Sequence, residues 1–210
     1  MTNLAATPPT MMFVHGDAQT ALYRKHMSCS DEEFANMEVV MKWCTPTPNP
    51  HRPSTNCLRK QCAFVREGVK EYDFGQKQDV YRCEEHTTIE LLNRVLADLA
   101  STYNLFQCNY YENGGVGIGP HQDNEACLDL TYPIVSYSFY ANHDDRRPFS
   151  FYTLDEKKVL DVPLGHGDML VTNSHVQRLL KHGMEKQRAN KHGPRINITA
   201  RVATTQSSSS

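Results

Sequence analysis

The sequence predicts an α+β protein whose core is a β-sandwich or barrel-like assembly, with helices supplied by its N-terminal half. Two patterns carry this. Residues 84–100 place Ile89, Leu92, Leu96 and Leu99 at steps of 3, 4 and 3, the spacing of one helical face. Beyond them, six short β-branched or aromatic runs follow, separated by Gly, Asn, Asp and Pro clusters. The size agrees: 210 residues, 39% hydrophobic and 22% charged, suffice for one domain with one substantial core, and exclude a disordered or fibrous chain.

The elements follow in order. Residues 1–12 are small and polar with a Pro-Pro pair, and residues 206–210 are a glutamine and four serines; both ends are expected to be loose around a single domain at 13–205. "TPTPNPHRPSTN", residues 45–56, holds four prolines and is expected to be a long exposed loop. Thr87 and Glu90 read as a capping box for the helix at 84–100. The strands are "FQCNYY", "PIVSYSFY", "FSFYTL", "KVLDVPL", "DMLVTN" and "INITARVAT". Such a succession of short strands suits a sandwich or barrel.

A net charge of −2 gives no overall basic signal, so nucleic-acid binding requires a local patch. The densest candidate is "QRLLKHGMEKQRANK", residues 177–191. Seven cysteines without a CxxC pair suit a reducing compartment, cytoplasm or nucleus. No apolar stretch approaches the roughly 18 residues of a membrane span.

Chemistry concentrates in "GIGPHQDNE". His121 and Asp123, two residues apart on extended backbone, point to one side and can share a metal ion. A second histidine would complete a facial triad that leaves three octahedral positions open. His143, His166 and His192 sit in polar loops or turns; His175 and His182 remain, and His182 is favoured because "RINITAR" follows after a short connection. Alternation in that strand puts Arg195, Asn197, Thr199 and Arg201 on one face. Two arginines there suit a dicarboxylic co-substrate, since a guanidinium binds a carboxylate in fork geometry.

In this order, "NYY" (Asn109, Tyr111), "HQD", His182 and "RINITAR" resemble the AlkB family of Fe(II)- and 2-oxoglutarate-dependent dioxygenases, and "PIVSYSF" and "LGHGDML" look like the strands between its ligands. The resemblance covers roughly residues 106–202. It implies a double-stranded β-helix (jelly-roll) at about 103–203, N-terminal helices and a nucleotide-recognition lid at about 36–82. It implies Fe(II) on His121, Asp123 and His182, and 2-oxoglutarate held by Asn109, Tyr111, Arg195, Asn197 and Arg201. With O2 these would oxidatively dealkylate N-alkylated bases such as 1-methyladenine and 3-methylcytosine in DNA or RNA, releasing formaldehyde and succinate. The alternative is an oxygenase that hydroxylates a nucleobase, protein or other substrate without repair.

A weaker similarity upstream ("MKW", "LRKQCAF", "YDFG") implies that Tyr72 and Phe74 line a pocket for an extruded base, with Glu125 at its polar edge and Arg59 beside it. The partners implied are alkylated nucleic acid and O2, met by a monomer with no membrane attachment. Two departures stand out: residues 45–56 enlarge the lid, and the finger inserted into duplex DNA would fall on aliphatic Val40 and Met41.

Overall fold

The computed structural model describes residues 8–44, 59–69 and 79–204. The Pro-rich segment 45–56, Tyr72 and Phe74 lie outside the described residues.

The first helix, α1 (Asp31–Trp43), starts at a capping box: the Glu33 amide donates to Ser30 Oγ at 3.1 Å, and the Ser30 amide donates to Glu33 Oε2 at 2.7 Å. Asp31, Glu32 and Glu33 then meet the positive end of the helix dipole. Phe34, Met37 and Met41 form its buried face. The second helix, α2 (Glu90–Asp98), is shorter than expected, with a 3₁₀ turn at Cys83–Glu85 before it. Thr87 does not cap it; the N-cap is Ile89, without a side-chain hydrogen bond, and burial of that side chain fixes the helix start instead. Arg94 of α2 joins Glu33 of α1 at 2.7 Å.

Among the described residues, eight strands form one sheet: β1 (Thr10–His15), β2 (Ala18–Tyr23), β10 (Asp168–Thr172), β7 (Ile134–Tyr140), β12 (Arg195–Arg201), β5 (Leu105–Tyr111), β3 (Lys60–Val65) and β4 (Asp79–Arg82), in that spatial order. A four-stranded sheet runs β6 (Ile118–His121), β11 (Lys181–Met184), β8 (Arg146–Tyr152) and β9 (Lys158–Gly165). The six expected runs correspond to β5, β7, β8, β9, β10 and β12. β8 begins earlier than expected because Arg146 and Arg147 pair with Gly165 and Leu164. β1 begins at Thr10, inside the N-terminal segment expected to be loose, because its residues pair with β2.

The large sheet has two different faces. Phe64, Phe106, Cys108, Tyr137, Phe139, Ile196, Ile198 and Ala200 pack with the apolar residues of α1 and α2 in the main core. The alternate residues face the small sheet, where Leu22, Leu170, Phe151, Val162 and Leu164 form a second core at one end. β12 lies between β7 and β5, so all seven of its residues are buried. Its arginine face is therefore an interior one, enclosed between sheets.

Burial also corrects the expected DNA-inserting finger. Met41 is fully buried and Val40 packs on the core, while Val39 and Trp43, 57% and 83% exposed, form the outer face of α1. Helical period places positions 37 and 41 under the helix, which leaves Met41 no route to solvent.

Candidate metal centre

β6 and β11 are antiparallel and place His121 directly opposite His182. Asp123 follows two residues after His121, and one ligand atom from each of the three residues lies within 4.8 Å of the others. Asp123 Oδ1 is 3.7 Å from His121 Nε2, and Oδ2 is 3.7 Å from His182 Nε2. The His121 Nδ1 lies 2.9 Å from the Gly119 carbonyl, which assigns the proton to Nδ1 and leaves Nε2 free as a ligand. His182 stacks on Phe149 at 5.3 Å. Its neighbour must be glycine: a Cβ on Gly183 would stand 2.8 Å from the Ile118 carbonyl oxygen. His175, the other candidate, lies on α3 (Ser174–Leu179), outside this cluster.

The electrostatics suit a cation. Burial acts to raise the Asp123 carboxyl, but the Arg201 guanidinium, then His182 and His121, outweigh it and hold it well below the usual carboxylate range. Arg201 Nη2 and Nε donate to Asp123 Oδ2 at 2.6 and 3.2 Å, and Nη1 donates to Gln107 Oε1 at 2.6 Å. Burial, reinforced by the neighbouring His121, pushes His182 down to about 3, and burial also lowers His121. Two neutral imidazoles and an ionised carboxylate are the forms that ligate a metal. The Asp123 amide donates to Gln177 Oε1 at 3.0 Å, so α3 holds the H-x-D turn from behind.

Beside the ligands runs a row of buried polar side chains. Register sets Arg195 opposite Tyr111 and Asn197 opposite Asn109. Asn197 Nδ2 donates to Ser136 Oγ and the Tyr137 carbonyl at 2.7 and 2.8 Å, and Arg195 Nη2 donates to Ser138 Oγ at 2.8 Å. Five atoms of this region are buried without a hydrogen-bond partner: Asn109 Oδ1, Tyr140 Oη, Arg195 Nε, and Nε and Nη1 of Arg147. Buried guanidinium N–H groups call for acceptors, so a carboxylate-bearing ligand fits this row and a neutral one does not. A metal held by two histidines and a carboxylate, with such an acid beside it, matches Fe(II) with 2-oxoglutarate.

The residues expected on metal and co-substrate thus come together. Glu125 and Arg59 also flank the centre: Glu125 Oε2 is buried without a partner, Asp123 adds to burial in raising its carboxyl, and the charge of Arg59 acts on His121. Arg59 Nη2 donates to Gln61 Oε1 at 3.1 Å. Sequence reasoning missed Gln107, Ser136, Ser138, Tyr140, Arg147 and Gln177, although alternation along "PIVSYSFY" puts Ser136, Ser138 and Tyr140 on one face. The basic stretch 177–191 is not one solvated loop: β11 is buried within it, and Arg178, Lys186, Arg188 and Lys191 remain exposed around it.

The sequence matches the family model of the 2OG-Fe(II) oxygenase superfamily over residues 12–201. It is 32% identical over 117 residues to the DNA oxidative demethylase ALKBH2 of Bos taurus, covering 52% of this chain and 40% of that protein. It is 28% identical over 123 residues to the alpha-ketoglutarate-dependent dioxygenase alkB homolog 3 of Mus musculus, covering 53% and 41%. The match therefore spans about two fifths of the length of these relatives. The structure of OsALKBH1 superposes with a TM-score of 0.52 at 17% identity, over 87% of this chain and 97% of that one. A 2OG-Fe(II) oxygenase family oxidoreductase from Burkholderia pseudomallei gives 0.53 at 14% identity, over 87% and 84%. These structures share the fold: the two facing sheets are a double-stranded β-helix, the jelly-roll core expected from the sequence.

Proposed function

The chain belongs to the 2OG-Fe(II) oxygenase superfamily, and from that premise we propose that it removes N-alkyl groups from bases of DNA or RNA. As a member it is a dioxygenase that uses Fe(II) and 2-oxoglutarate. When bound, these two supply an oxidant derived from O2 and leave succinate; the protein's part is to position and shield.

His121, Asp123 and His182 would hold the iron, and Arg201 keeps Asp123 ionised for it. Arg195, with Tyr111 and Asn197, would bind the far carboxylate of 2-oxoglutarate, and Asn109 and Arg201 would border its metal end. The observation that carries the substrate reading is the buried, unpartnered Oε2 of Glu125 beside Asp123. It offers an acceptor to the amino edge of a base and a negative charge to a ring made cationic by methylation. The names of the similar demethylases point the same way. A base within a stack cannot reach the iron, so the substrate must be unpaired or extruded, with Tyr72 and Phe74 expected to clasp it. Arg59, Arg178, Lys186, Arg188 and Lys191 would meet phosphates.

The test gives protein purified without oxygen Fe(II), ascorbate, 2-oxoglutarate and oligonucleotides bearing 1-methyladenine or 3-methylcytosine, single- and double-stranded, with His182→Ala as control. Formaldehyde equal to succinate and absent from the variant is the expected result. Succinate without formaldehyde would select the second reading, hydroxylation of a nucleobase, protein or other substrate without repair. That reading gains from the burial of Met41, which removes the expected finger from the surface.

A further inference from the structure

Arg147 is wholly buried in β8, whose first residue, Arg146, is exposed. Its Nη2 is fully engaged, donating to the carbonyls of Val116, Glu185 and Gly114 at 2.9, 3.0 and 3.4 Å. Its Nε and Nη1 have no partner. Arg195, also buried, is tethered by Nη2 to Ser138 and leaves Nε without a partner. Both guanidinium carbons lie against the ring of Tyr111, 5.7 Å away for Arg147 and 5.1 Å for Arg195, and Arg195 also lies 5.7 Å from the ring of Tyr140. The Tyr140 hydroxyl is buried and unpartnered as well.

Two buried cations on one aromatic ring are a costly arrangement when no anion stands between them. Among the described residues, neither guanidinium is hydrogen-bonded to a carboxylate. Burial first, and then the charge of Arg195, lowers the Arg147 guanidinium below its ordinary range, with Tyr140, Tyr111 and Asp145 acting the other way. Burial raises the Tyr140 phenol, so it stays a neutral O–H donor. An ionised carboxylate has about four lone-pair sites and can accept from several such donors at once.

We propose that Arg147 and the Tyr140 hydroxyl complete, with Arg195, the site for the far carboxylate of 2-oxoglutarate. The pocket then selects a dicarboxylic oxoacid with two cations and a phenol where the motif strand supplies one cation. This rests on the co-substrate reading above. Arg147 has a double role: Nη2 ties together the segments that end in Val116 and Glu185, and the other edge of its guanidinium meets the ligand.

The test is calorimetric, on whole protein loaded with Mn(II) in place of iron, titrated with 2-oxoglutarate and with 2-oxopentanoate, which keeps the oxoacid head and lacks the far carboxylate. Arg147→Gln should weaken 2-oxoglutarate about 10- to 100-fold, the worth of a charge-assisted hydrogen bond, and leave 2-oxopentanoate unchanged. Tyr140→Phe, which removes only the phenol oxygen, should weaken 2-oxoglutarate about 3- to 10-fold with the same selectivity. If Arg147→Gln does not fold, Tyr140→Phe and Arg147→Lys decide. Equal weakening of both acids, or no change in either, in the folded variants would overturn the proposal and leave Arg147 a structural tie. Wild-type protein that binds both acids alike would overturn the co-substrate pocket itself, and the proposal with it.

Discussion

His182 stands directly across the β6–β11 pair from His121, with their ring centroids 4.4 Å apart. The metal centre therefore depends on how closely two four-residue strands approach. Their contact requires Gly183, whose missing Cβ leaves room for the Ile118 carbonyl and for Gly119.

Gly183→Ala should separate the strands by a few tenths of an ångström or more. We expect metal affinity to fall at least about 10-fold, since ligand geometry is set by such support, and stability to fall by about 1–3 kcal/mol from overpacking. Titration with Mn(II) alongside thermal melting checks both. Full affinity in this variant would show that β11 can shift without disturbing the ligands.

Gln177 predicts a second loss without touching the metal. Gln177→Leu removes the acceptor for the buried Asp123 amide, at a cost of about 1–3 kcal/mol. Freed from α3, the H-x-D turn should bind Mn(II) about 10-fold more weakly, as other residues that orient ligands do. A variant that loses melting temperature but keeps its metal affinity would confine Gln177 to the fold.

These residues show what the sequence made legible. β5, β7 and β12 are long, alternating and rich in β-branched or aromatic residues, and both their existence and their faces could be read directly. β6 and β11, "IGPH" and "KHGM", have no strand propensity of their own; β6 is a strand because it pairs with β11, and β11 because it lies between β6 and β8, which a local reading cannot see. Arg147 was hidden beside Arg146 in a polar run that reads as surface, yet the pleat exposes one and buries the other. The start of α2 went the other way: Thr87 and Glu90 have the spacing of a cap, and burial of Ile89 prevailed. The capping box that does form, Ser30 with Glu33, was equally present in the sequence, ahead of an apolar face made largely of Met.

Arg201 gives a prediction in pH. Its guanidinium, with the two imidazoles, holds the Asp123 carboxyl low against the effect of burial. Arg201→Met keeps the bulk and removes the charge, so burial should dominate and the carboxyl should rise. The acid limb of Mn(II) binding should then move to higher pH, and at neutral pH affinity should drop about 10- to 100-fold. Arg201→Lys should restore part of the shift. An acid limb unmoved in the Met variant would exclude Arg201 as the group that keeps Asp123 ionised.

The buried imidazoles predict how metal and acid combine. Burial is the leading cause that lowers His121, His166, His182 and His192 below the ordinary 6.5. Below pH 6.5 the unfolded chain takes up protons on these side chains before the native protein does, so stability is lost as pH falls. With His182 pushed down to about 3, this one residue costs metal-free protein on the order of 2 kcal/mol by pH 5, at about 1.4 kcal/mol per pH unit. Glu125, raised chiefly by burial, acts with the opposite sign, because the native state takes up its proton first. Burial lowers both metal-ligating imidazoles, and His182, pushed down to about 3, is neutral in the native metal-free protein, so binding Mn(II) displaces no proton from it between pH 7 and 5. Melting temperatures of chelator-treated and Mn(II)-loaded protein should therefore both fall across that range while the gap between them narrows less than two imidazoles titrating at the ordinary 6.5 would make it. A gap that closes below pH 6.5 as steeply as for two ordinary imidazoles would show that His121 and His182 are protonated in the native state, and that burial does not hold these ligands ready for the metal.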